Sequence, residues 1–235
     1  MINSKTLKSF IILVLILVVP GFLYYLLQAK GKNRYKPLPV YGPKQVAKTF
    51  KTIRGKKVFD TIYHTIPDFK LYDQNNKLIT QKSFDGKILL VNFFFTKCPA
   101  LCNEINKNID SLAGNFKKNS MVRFVSITVD PATDNPSILK KYAATLKAND
   151  KQWKFLTGDT ATIYPLSRQG FLVTAANGGN QPENFVYSEK LILIDQDKRI
   201  RGYYNGTSVN EMTKLNDEIK VLIAEELRKI KSNLY

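Results

Sequence analysis

Two cysteines, four residues apart, are the side chains of this sequence best suited to chemistry. Cys98 and Cys102 are the only cysteines among 235 residues, and they lie between a strongly apolar run and a predicted helix. On a helix, positions i and i+4 share one face with their Cα atoms roughly 6 Å apart, which permits a disulfide. The positive end of a helix favours thiolate, the form that attacks disulfides and binds soft metals such as copper(I). The pair is a candidate redox pair or a candidate pair of metal ligands, and two buried structural thiols are the alternative without function.

The composition excludes several other classes of protein. With 44% hydrophobic and 11% aromatic residues, the chain is too apolar for a disordered tail. Two cysteines cannot form a disulfide-rich scaffold, and the single histidine, His64, cannot form a zinc site built on several histidines.

The net charge of +17 is concentrated near the N-terminus. Positions 1–59 hold twelve Lys and Arg residues and no acid, whereas the remaining 24 bases and 19 acids leave only +5 on positions 60–235. Most of the bases are lysines, which suit a solvated or membrane-facing surface better than the reading of base edges by arginine. We therefore predict no nucleic-acid partner.

Phe10–Leu27 is predicted to be a transmembrane anchor. Its 18 residues carry no charge, which is the lower end of what spans a hydrocarbon core of about 30 Å. A cleaved signal peptide is the alternative, but the run exceeds the usual apolar region of about 7–15 residues, and Leu27, Gln28 and Ala29 make a poor cleavage site.

The rest of the chain divides around this anchor. Positions 1–9 are a short basic N-terminus, positions 28–60 are predicted to be an extended basic tether because Pro and Gly are interspersed among the bases, and positions 61–235 are predicted to fold. The bases of the tether suit anionic headgroups, at about 1 kcal/mol per base close to the surface.

The folded part alternates predicted strands and helices, which indicates an α/β, thioredoxin-like fold with an added N-terminal hairpin. Asn135 and Ser208 are predicted helix caps, the second completed to a capping box by Glu211. The pattern predicts a hairpin (Phe69–Tyr72 with Lys77–Thr80), buried strands (Ile88–Phe95, Val122–Val129, Trp153–Leu156), helices (about Leu101–Lys117, Pro136–Leu146, Thr160–Arg168), a second hairpin (Leu191–Asp195 with Ile200–Tyr204) and a closing helix from Ser208 to about Lys229.

The loop from Asp130 to Asp134 follows the second buried strand at its carboxyl end, where ligands of open α/β sheets usually bind. It either lines the thiol site or forms an Asx-turn that leads into the next helix. The sequence leaves both interpretations open.

Four stretches resemble the Sco/SenC family. IPDFKLYDQNNKLITQKSFDGKILLVNFFFTKCPALC is similar to the family's entry hairpin, strand and cysteine loop, and SITVDPATDNPSILKKYA, WKFLTGD and LILIDQDKRIRGYYNGT follow in the family's order and spacing. The resemblance covers the chain from about Ile66 to the C-terminus. It implies a membrane-tethered thioredoxin-like protein that binds copper and helps to assemble the binuclear copper centre of cytochrome c oxidase. Some relatives are thought to act mainly as thiol-disulfide reductants.

The resemblance also implies a copper site that this sequence carries only in part. The family's ligands are two cysteines, here Cys98 and Cys102, and a histidine that falls by spacing on Tyr187. A phenol with a pKa near 10 is a poor ligand for copper(I), so the third ligand stays open. His64 is either a substitute ligand or a surface or locally hydrogen-bonded histidine.

Two functions stay open on the sequence. The first is a copper-binding assembly factor in which Cys98, Cys102 and a third ligand hold copper for the copper-bearing oxidase subunit. The second is a thiol-disulfide oxidoreductase acting on that subunit or another thiol protein, in which one thiolate attacks and the other resolves the mixed disulfide. The missing histidine favours the second and the family the first. A thiol peroxidase is disfavoured because Phe95 stands where peroxiredoxins carry Thr, and an inert docking module that kept the fold is a further alternative.

Two observations disagree about which side of the membrane the C-terminal domain occupies. The four bases at positions 30–36 outnumber the two at positions 5 and 8, which by the positive-inside rule places the domain in the cytoplasm. The resemblance implies an extracytoplasmic domain, and long domains translocate largely regardless of flanking charge. We expect a single-pass protein of the cell membrane with its C-terminal domain on the periplasmic side.

Overall fold

The computed structural model describes residues 4–30, 37–53, 56–98, 100–174, 176–177, 185–186 and 189–232. The chain forms two compact units, Met1–Lys36 and Pro37–Tyr235. The described part of the first unit is one helix, α1 (Ser4–Lys30), which contains the predicted anchor. Within the part of the chain that the structure describes, no helix is both long enough and apolar enough to cross a membrane.

The second unit begins with a hairpin where the sequence indicated an extended tether. Strands β1 (Lys44–Ile53) and β2 (Lys56–Tyr63) pair antiparallel and form a two-stranded sheet of their own. The many bases and the nearby prolines suggested a solvated tether, but Val, Ile, Thr, Phe and Tyr recur along both segments and favour strands. The tether predicted for positions 28–60 is therefore replaced by strands from Lys44 onward.

A seven-stranded sheet forms the body of this unit, in the order β11-β10-β5-β6-β7-β3-β4. The neighbours β5 and β6, and β6 and β7, are parallel, while β10, β11, β3 and β4 pair antiparallel. This arrangement confirms the predicted hairpins and buried strands. The strands are β3 (Lys70–Asp73), β4 (Leu78–Thr80), β5 (Ile88–Phe94), β6 (Val122–Thr128), β7 (Trp153–Thr157), β10 (Lys190–Ile194) and β11 (Ile200–Asn205), and a separate short pair is formed by β8 (Ala176–Asn177) and β9 (Phe185–Val186).

The helices cover both faces of the sheet. Residues of α2, α3 and α5 share one hydrophobic cluster with one face, and residues of α4 and the turn after it share a second cluster with the other face. Strand β5 is buried on both faces, with Phe94 in the first cluster and Phe93 in the second. The helical segments are α2 (Ala100–Asn115), α3 (Pro136–Thr145), α4 (Thr160–Pro165), α5 (Val209–Ser232), a 3₁₀ turn (Gln81–Phe84) and a π turn (Leu166–Gly170).

The one polar residue of β5, Asn92, is the end of a chain of hydrogen bonds that runs through β6 to β7. Ser126 Oγ on β6 donates to Asn92 Oδ1 at 2.7 Å, and Trp153 Nε1 on β7 donates to Ser126 Oγ at 2.9 Å. Because buried polar atoms are costly without partners, this chain of hydrogen bonds explains how an asparagine is accommodated in the core.

Of the two predicted helix caps, one is present in full and the other only in part. Asn135 accepts a hydrogen bond from Ile138 N at the start of α3, as predicted. Ser208 Oγ accepts from Glu211 N at 3.4 Å, but the Glu211 carboxylate accepts from Asn205 N at the end of β11 and not from Ser208. The helix follows the strand so closely that the strand end takes the place of the second half of the capping box.

A buried arginine fastens the start of this unit to its C-terminal half. Arg201 on β11 donates to the carbonyl oxygens of Leu38 at 2.6 Å and Pro39 at 3.1 Å, and to the carboxylates of Glu225 and Asp195 at 2.7 and 3.1 Å. Glu225 in turn accepts from Leu38 N at 2.6 Å. We call this group of hydrogen bonds the Arg201 clamp.

Candidate functional site

The two cysteines lie at the junction between the central strand β5 and helix α2. Strand β5 ends at Phe94, Cys98 lies in the following loop, and Cys102 lies in the first turn of α2. The two are joined by a disulfide with 5.9 Å between their Cα atoms, close to the separation expected from the sequence. The backbone N–H of Cys98 donates to the carbonyl of Phe95 at 3.2 Å, which closes the loop into a turn.

The two sulfur-bearing side chains differ in exposure. Cys102 is only 3% exposed and belongs to the hydrophobic cluster of α2, α3 and α5. Cys98 is half-buried and packs against both clusters, so it lies at the end of the sheet where the two faces meet. The first turn of α2 contains no acidic residue that would oppose a thiolate there. Cys98 is therefore the more exposed of the two cysteines.

A buried carboxylate holds the loop before Cys98. Asp134 has no exposed surface, and its oxygens accept from Thr96 N at 3.0 Å, from the Thr96 hydroxyl and from the Thr128 hydroxyl at 2.5 Å. Burial raises the pKa of Asp134 above its ordinary value, although the hydrogen bonds from Thr128 and Thr96 lower it in part. The cysteine loop is thus tied to the segment that follows β6.

This arrangement unites the two interpretations that the sequence left open for the loop Asp130–Asp134. The carbonyl of Asp130 accepts from Asp134 N at 2.8 Å, and its carboxylate accepts from Thr133 N at 3.3 Å, which forms the turn into α3. Asp134 then reaches across to Thr96. This second contact could not be predicted at the level of residues; the one available sign was an acidic residue after a buried strand, next to the strand that leads to the cysteines.

A second contact fixes α2 against α3. Asn106 on α2 is buried and donates to the hydroxyl of Tyr142 at 2.7 Å, and the Tyr142 ring stacks on Phe94 with 5.4 Å between ring centroids. Burial raises the pKa of Tyr142, and the hydrogen bond from Asn106 opposes part of that rise. The helix that carries Cys102 is therefore held by a hydrogen bond from its second turn as well as by its apolar face.

Of the other two predicted site residues, the structure describes one. His64 follows β2, and its Nε2 is hydrogen-bonded to the carbonyl of Gly170 at 2.7 Å, which is the locally hydrogen-bonded histidine that the sequence analysis offered as one alternative. Tyr187, at the family's histidine position, lies outside the described residues.

Three carboxylates at the opposite end of the sheet lie as close together as the ligands of a cation, but each is paired with a basic side chain. Within the described ranges, the carboxylates of Asp195, Asp197 and Glu226 approach within 4.8 Å of one another. Arg199 bonds to the first two, and Lys229 bonds to the last two. These carboxylates are therefore accounted for by ion pairs.

The chain matches a known protein family. The model described as SCO1/SenC matches residues 60–224, which is well over half of the sequence. The chain belongs to the SCO1/SenC family. The match begins within β2 and ends within α5, and β1 lies before it.

Known Sco proteins resemble this one along most of the folded unit. A curated relative, the SCO1 protein homolog of Bacillus subtilis strain 168, is 26% identical over 170 residues, 71% of this chain and 86% of the relative. The solved structure of BsSco, described as a member of the Sco family of cytochrome c oxidase assembly proteins with a disulfide switch, aligns with a TM-score of 0.60 at 25% identity. That alignment covers 68% of this chain and 93% of BsSco.

A copper-bound structure is also similar. ScoI of Bradyrhizobium japonicum with copper bound aligns with a TM-score of 0.57 at 26% identity, covering 67% of this chain and 99% of ScoI. Together these likenesses confirm the predicted thioredoxin-like α/β fold of the Sco type.

The donor set of this Sco protein fits copper(I) in part. Once the disulfide is reduced, Cys98 and Cys102 offer two soft thiolates within one turn of chain, a type of ligand that selects copper(I). The only histidine is engaged with Gly170, and the family's histidine position is a tyrosine. Two sulfur ligands are therefore supplied by the described site, and a third is not.

Proposed function

We propose that this Sco protein serves the assembly of the copper centre of a cytochrome c oxidase by exchanging electrons between thiols and disulfides through Cys98 and Cys102. The observation that carries this proposal is the disulfide between a half-buried Cys98 and a buried Cys102 at the start of α2. The partner is the copper-bearing oxidase subunit or another thiol protein with a disulfide to be reduced.

The exchange takes two steps. The Cys98 thiolate attacks a sulfur of the partner's disulfide, that S–S bond breaks, a mixed disulfide forms and one partner sulfur leaves as a thiolate. Cys102 then attacks Cys98, the mixed disulfide breaks and the second partner sulfur leaves, so two electrons pass to the partner. The Cys98–Cys102 disulfide is the product, and a dithiol protein must reduce it before the next cycle. Asp134 and Thr96 act by holding the loop, not by touching the partner.

Copper delivery is the second candidate, with copper(I) as cargo. It is favoured by the likeness to ScoI with copper bound and by the two thiolates that reduction releases. The tyrosine at position 187 weighs against tight binding, because a phenol near pKa 10 is a poor ligand for copper(I). In this function Cys98 and Cys102 hold the ion, and a third ligand comes from elsewhere in the chain or from the partner.

A membrane anchor completes the proposal: Phe10–Leu27 spans the membrane once and the Sco domain lies on the periplasmic side, although the described residues alone contain no helix with the length and apolarity of a span. It is supported by the 18 uncharged residues of Phe10–Leu27, of which the structure describes the side chains of residues 12–26. Those apolar side chains are exposed along the helix. Retention of the full chain by membranes after alkaline carbonate extraction is the test, and a reporter active only in the cytoplasm, fused to the C-terminus, tests the sidedness.

One pair of measurements separates the two functions. The reduced chain is titrated with copper(I) against a competing chelator, beside a Cys98→Ser, Cys102→Ser variant and a Tyr187→His variant. We expect weak binding by the wild-type chain and tighter binding by Tyr187→His. Copper delivery fails if the wild-type chain binds no better than the double serine variant. Electron exchange is refuted if the Cys98–Cys102 disulfide can form but the reduced chain does not reduce the disulfide of a purified copper-bearing subunit.

A further inference from the structure

The hairpin β1–β2 is exposed over most of its length, and near its base the Tyr63 ring lies 5.6 Å from Arg199 of the folded unit. Opposed residues of an antiparallel pair share a face, and the register pairs Lys44 with Tyr63, Phe50 with Phe59 and Thr52 with Lys57. We call this side of the hairpin the Phe59 face. Its residues are Lys44, Val46, Phe50, Thr52, Lys57, Phe59, Thr61 and Tyr63.

The apolar members of this face are exposed although they are large. Val46, Phe50 and Phe59 are 76%, 46% and 52% exposed, and the two phenylalanine rings pack edge to face with 5.8 Å between their centroids. A two-stranded hairpin is only marginally stable in water by itself. Exposed aromatic side chains on such a hairpin therefore indicate a surface that becomes covered.

The charges of the hairpin restrict what covers it. Its only acid is Asp60, which by the alternation of side chains along a strand lies on the opposite face. The lysines of the Phe59 face lie next to its rings, with Lys57 Nζ 4.8 Å from the Phe50 centroid and Lys44 Nζ 5.7 Å from that of Tyr63. Lysines beside exposed aromatic rings are typical of a segment that lies in a membrane interface. The hairpin's bases are Lys44, Lys48, Lys51, Arg54, Lys56 and Lys57.

The position of the hairpin in the chain also favours a membrane. If Phe10–Leu27 spans the bilayer, the chain from Leu27 to Lys44 reaches at most about 60 Å even when fully extended. The roots of the hairpin are fixed to the folded unit, because Tyr41 N donates to Ile200 O at 2.9 Å and Ile66 N donates to Lys198 O at 2.9 Å. The hairpin is thus a fixed projection of the Sco domain and not a free linker.

We propose that the Phe59 face of the hairpin lies on the anionic surface of the lipid bilayer and sets how the Sco domain is held against it. The proposal rests on the membrane anchor proposed above. It concerns a segment that lies mostly before the family match, which begins at residue 60.

The experiment places a tryptophan on either face of the hairpin. The wild-type chain has a single tryptophan, Trp153, which is 1% exposed and serves as the internal reference. The full chain, a Phe59→Trp variant and a matched Val58→Trp variant are reconstituted into vesicles of phosphatidylcholine, with or without phosphatidylglycerol, containing brominated lipid. Because both leaflets have the same composition, the orientation of the protein does not affect the readout.

We expect brominated lipid to quench the indole of Phe59→Trp by about half or more in anionic vesicles, because an interfacial face lies about 5–10 Å into the headgroup and acyl boundary. Quenching is weaker for Val58→Trp, for neutral vesicles and at high salt. If the Phe59→Trp indole is quenched no more than that of Val58→Trp, or equally in neutral vesicles, the proposal is overturned, and a protein partner becomes the occupant of this face.

Carbonate extraction of the same vesicles separates this proposal from the anchor. A chain that carbonate removes, but whose Phe59→Trp indole was quenched beforehand, has the membrane-bound hairpin without the anchor. A chain that resists carbonate, but whose indole is not quenched, has the anchor and lacks the membrane-bound hairpin.

Discussion

Asp134 is the residue whose removal tests the construction of the thiol site most directly. In an Asp134→Ala variant, three donors lose their acceptor, namely Thr96 N, the Thr96 hydroxyl and the Thr128 hydroxyl. At about 1 kcal/mol net for each hydrogen bond, the free energy of unfolding falls by about 3 kcal/mol. For a domain of this size that corresponds to a fall in melting temperature of roughly 6–12 °C.

The assay follows the fluorescence of Trp153 during thermal unfolding of the oxidised full chain in mild detergent. Asp130→Ala is the matched control, because the Asp130 carboxylate accepts one hydrogen bond at 3.3 Å while its carbonyl bond to Asp134 N is unaffected. We expect the control to melt close to the wild type. If Asp134→Ala melts within about 2 °C of the wild type, Asp134 does not hold the cysteine loop as described.

The pH dependence supplies a second readout with a defined sign. Burial raises the pKa of Asp134 in the folded chain above the ordinary value of 3.8, so the folded chain binds this proton more tightly than the unfolded chain. The contribution of this proton to stability is complete below pH 3.8 and is lost as the pH rises through the folded pKa. Asp134→Asn lacks it, so the stability of the wild type relative to Asp134→Asn should decrease as the pH rises above 3.8. A relative increase over that range would refute the raised pKa.

Three further predictions test other parts of the structure. In the two single serine variants, the thiol left at Cys98 should react with an aromatic disulfide reagent at least about tenfold faster than that left at Cys102, because the latter is buried; equal rates would contradict the assigned order of attack. Arg201→Met should lower the free energy of unfolding in urea by about 3 kcal/mol or more, since it leaves the largely buried Glu225 carboxylate without its cation and removes one of the two cations of the buried Asp195. An unchanged urea midpoint would show that the Arg201 clamp does not stabilise the fold. Asp73 is buried, yet the hydrogen bonds from Lys77 and Lys154 outweigh that burial and lower its pKa. The stabilising contribution of Asp73 should therefore be present above pH 3.8 and be lost as the pH falls through the folded pKa. Measured by urea titration, Asp73→Asn should lose less stability below pH 3.8 than the wild type.

The sequence predicted the parts of the site that depend on local pattern. The apolar run before Cys98 predicted a strand buried on both faces. The four-residue spacing to Cys102 predicted the distance between the two Cα atoms. These features depend on neighbours along the chain, so periodicity and the short spacing were sufficient to predict them.

The sequence did not predict the contacts that join distant segments. Asp134 meets Thr96 only because β5 and β6 pair in parallel and end at the same edge, and nothing in the local sequence of either loop specifies that distance. The hairpin at positions 44–63 was missed for another reason: its bases suggested solvation, while the alternation that favours strands is visible only when each base is assigned to a face.

The Arg201 clamp has a mechanical consequence. Any tension along the chain from the N-terminal side enters the folded unit at Leu38, where hydrogen bonds to Arg201 and Glu225 connect the backbone directly to β11 and α5. That tension is therefore carried into the far side of the sheet, and the hairpin and the strand that leads to Cys98 lie off the path of the force. A domain pulled at its tether can be displaced as a body while the geometry of its sulfur pair stays unchanged.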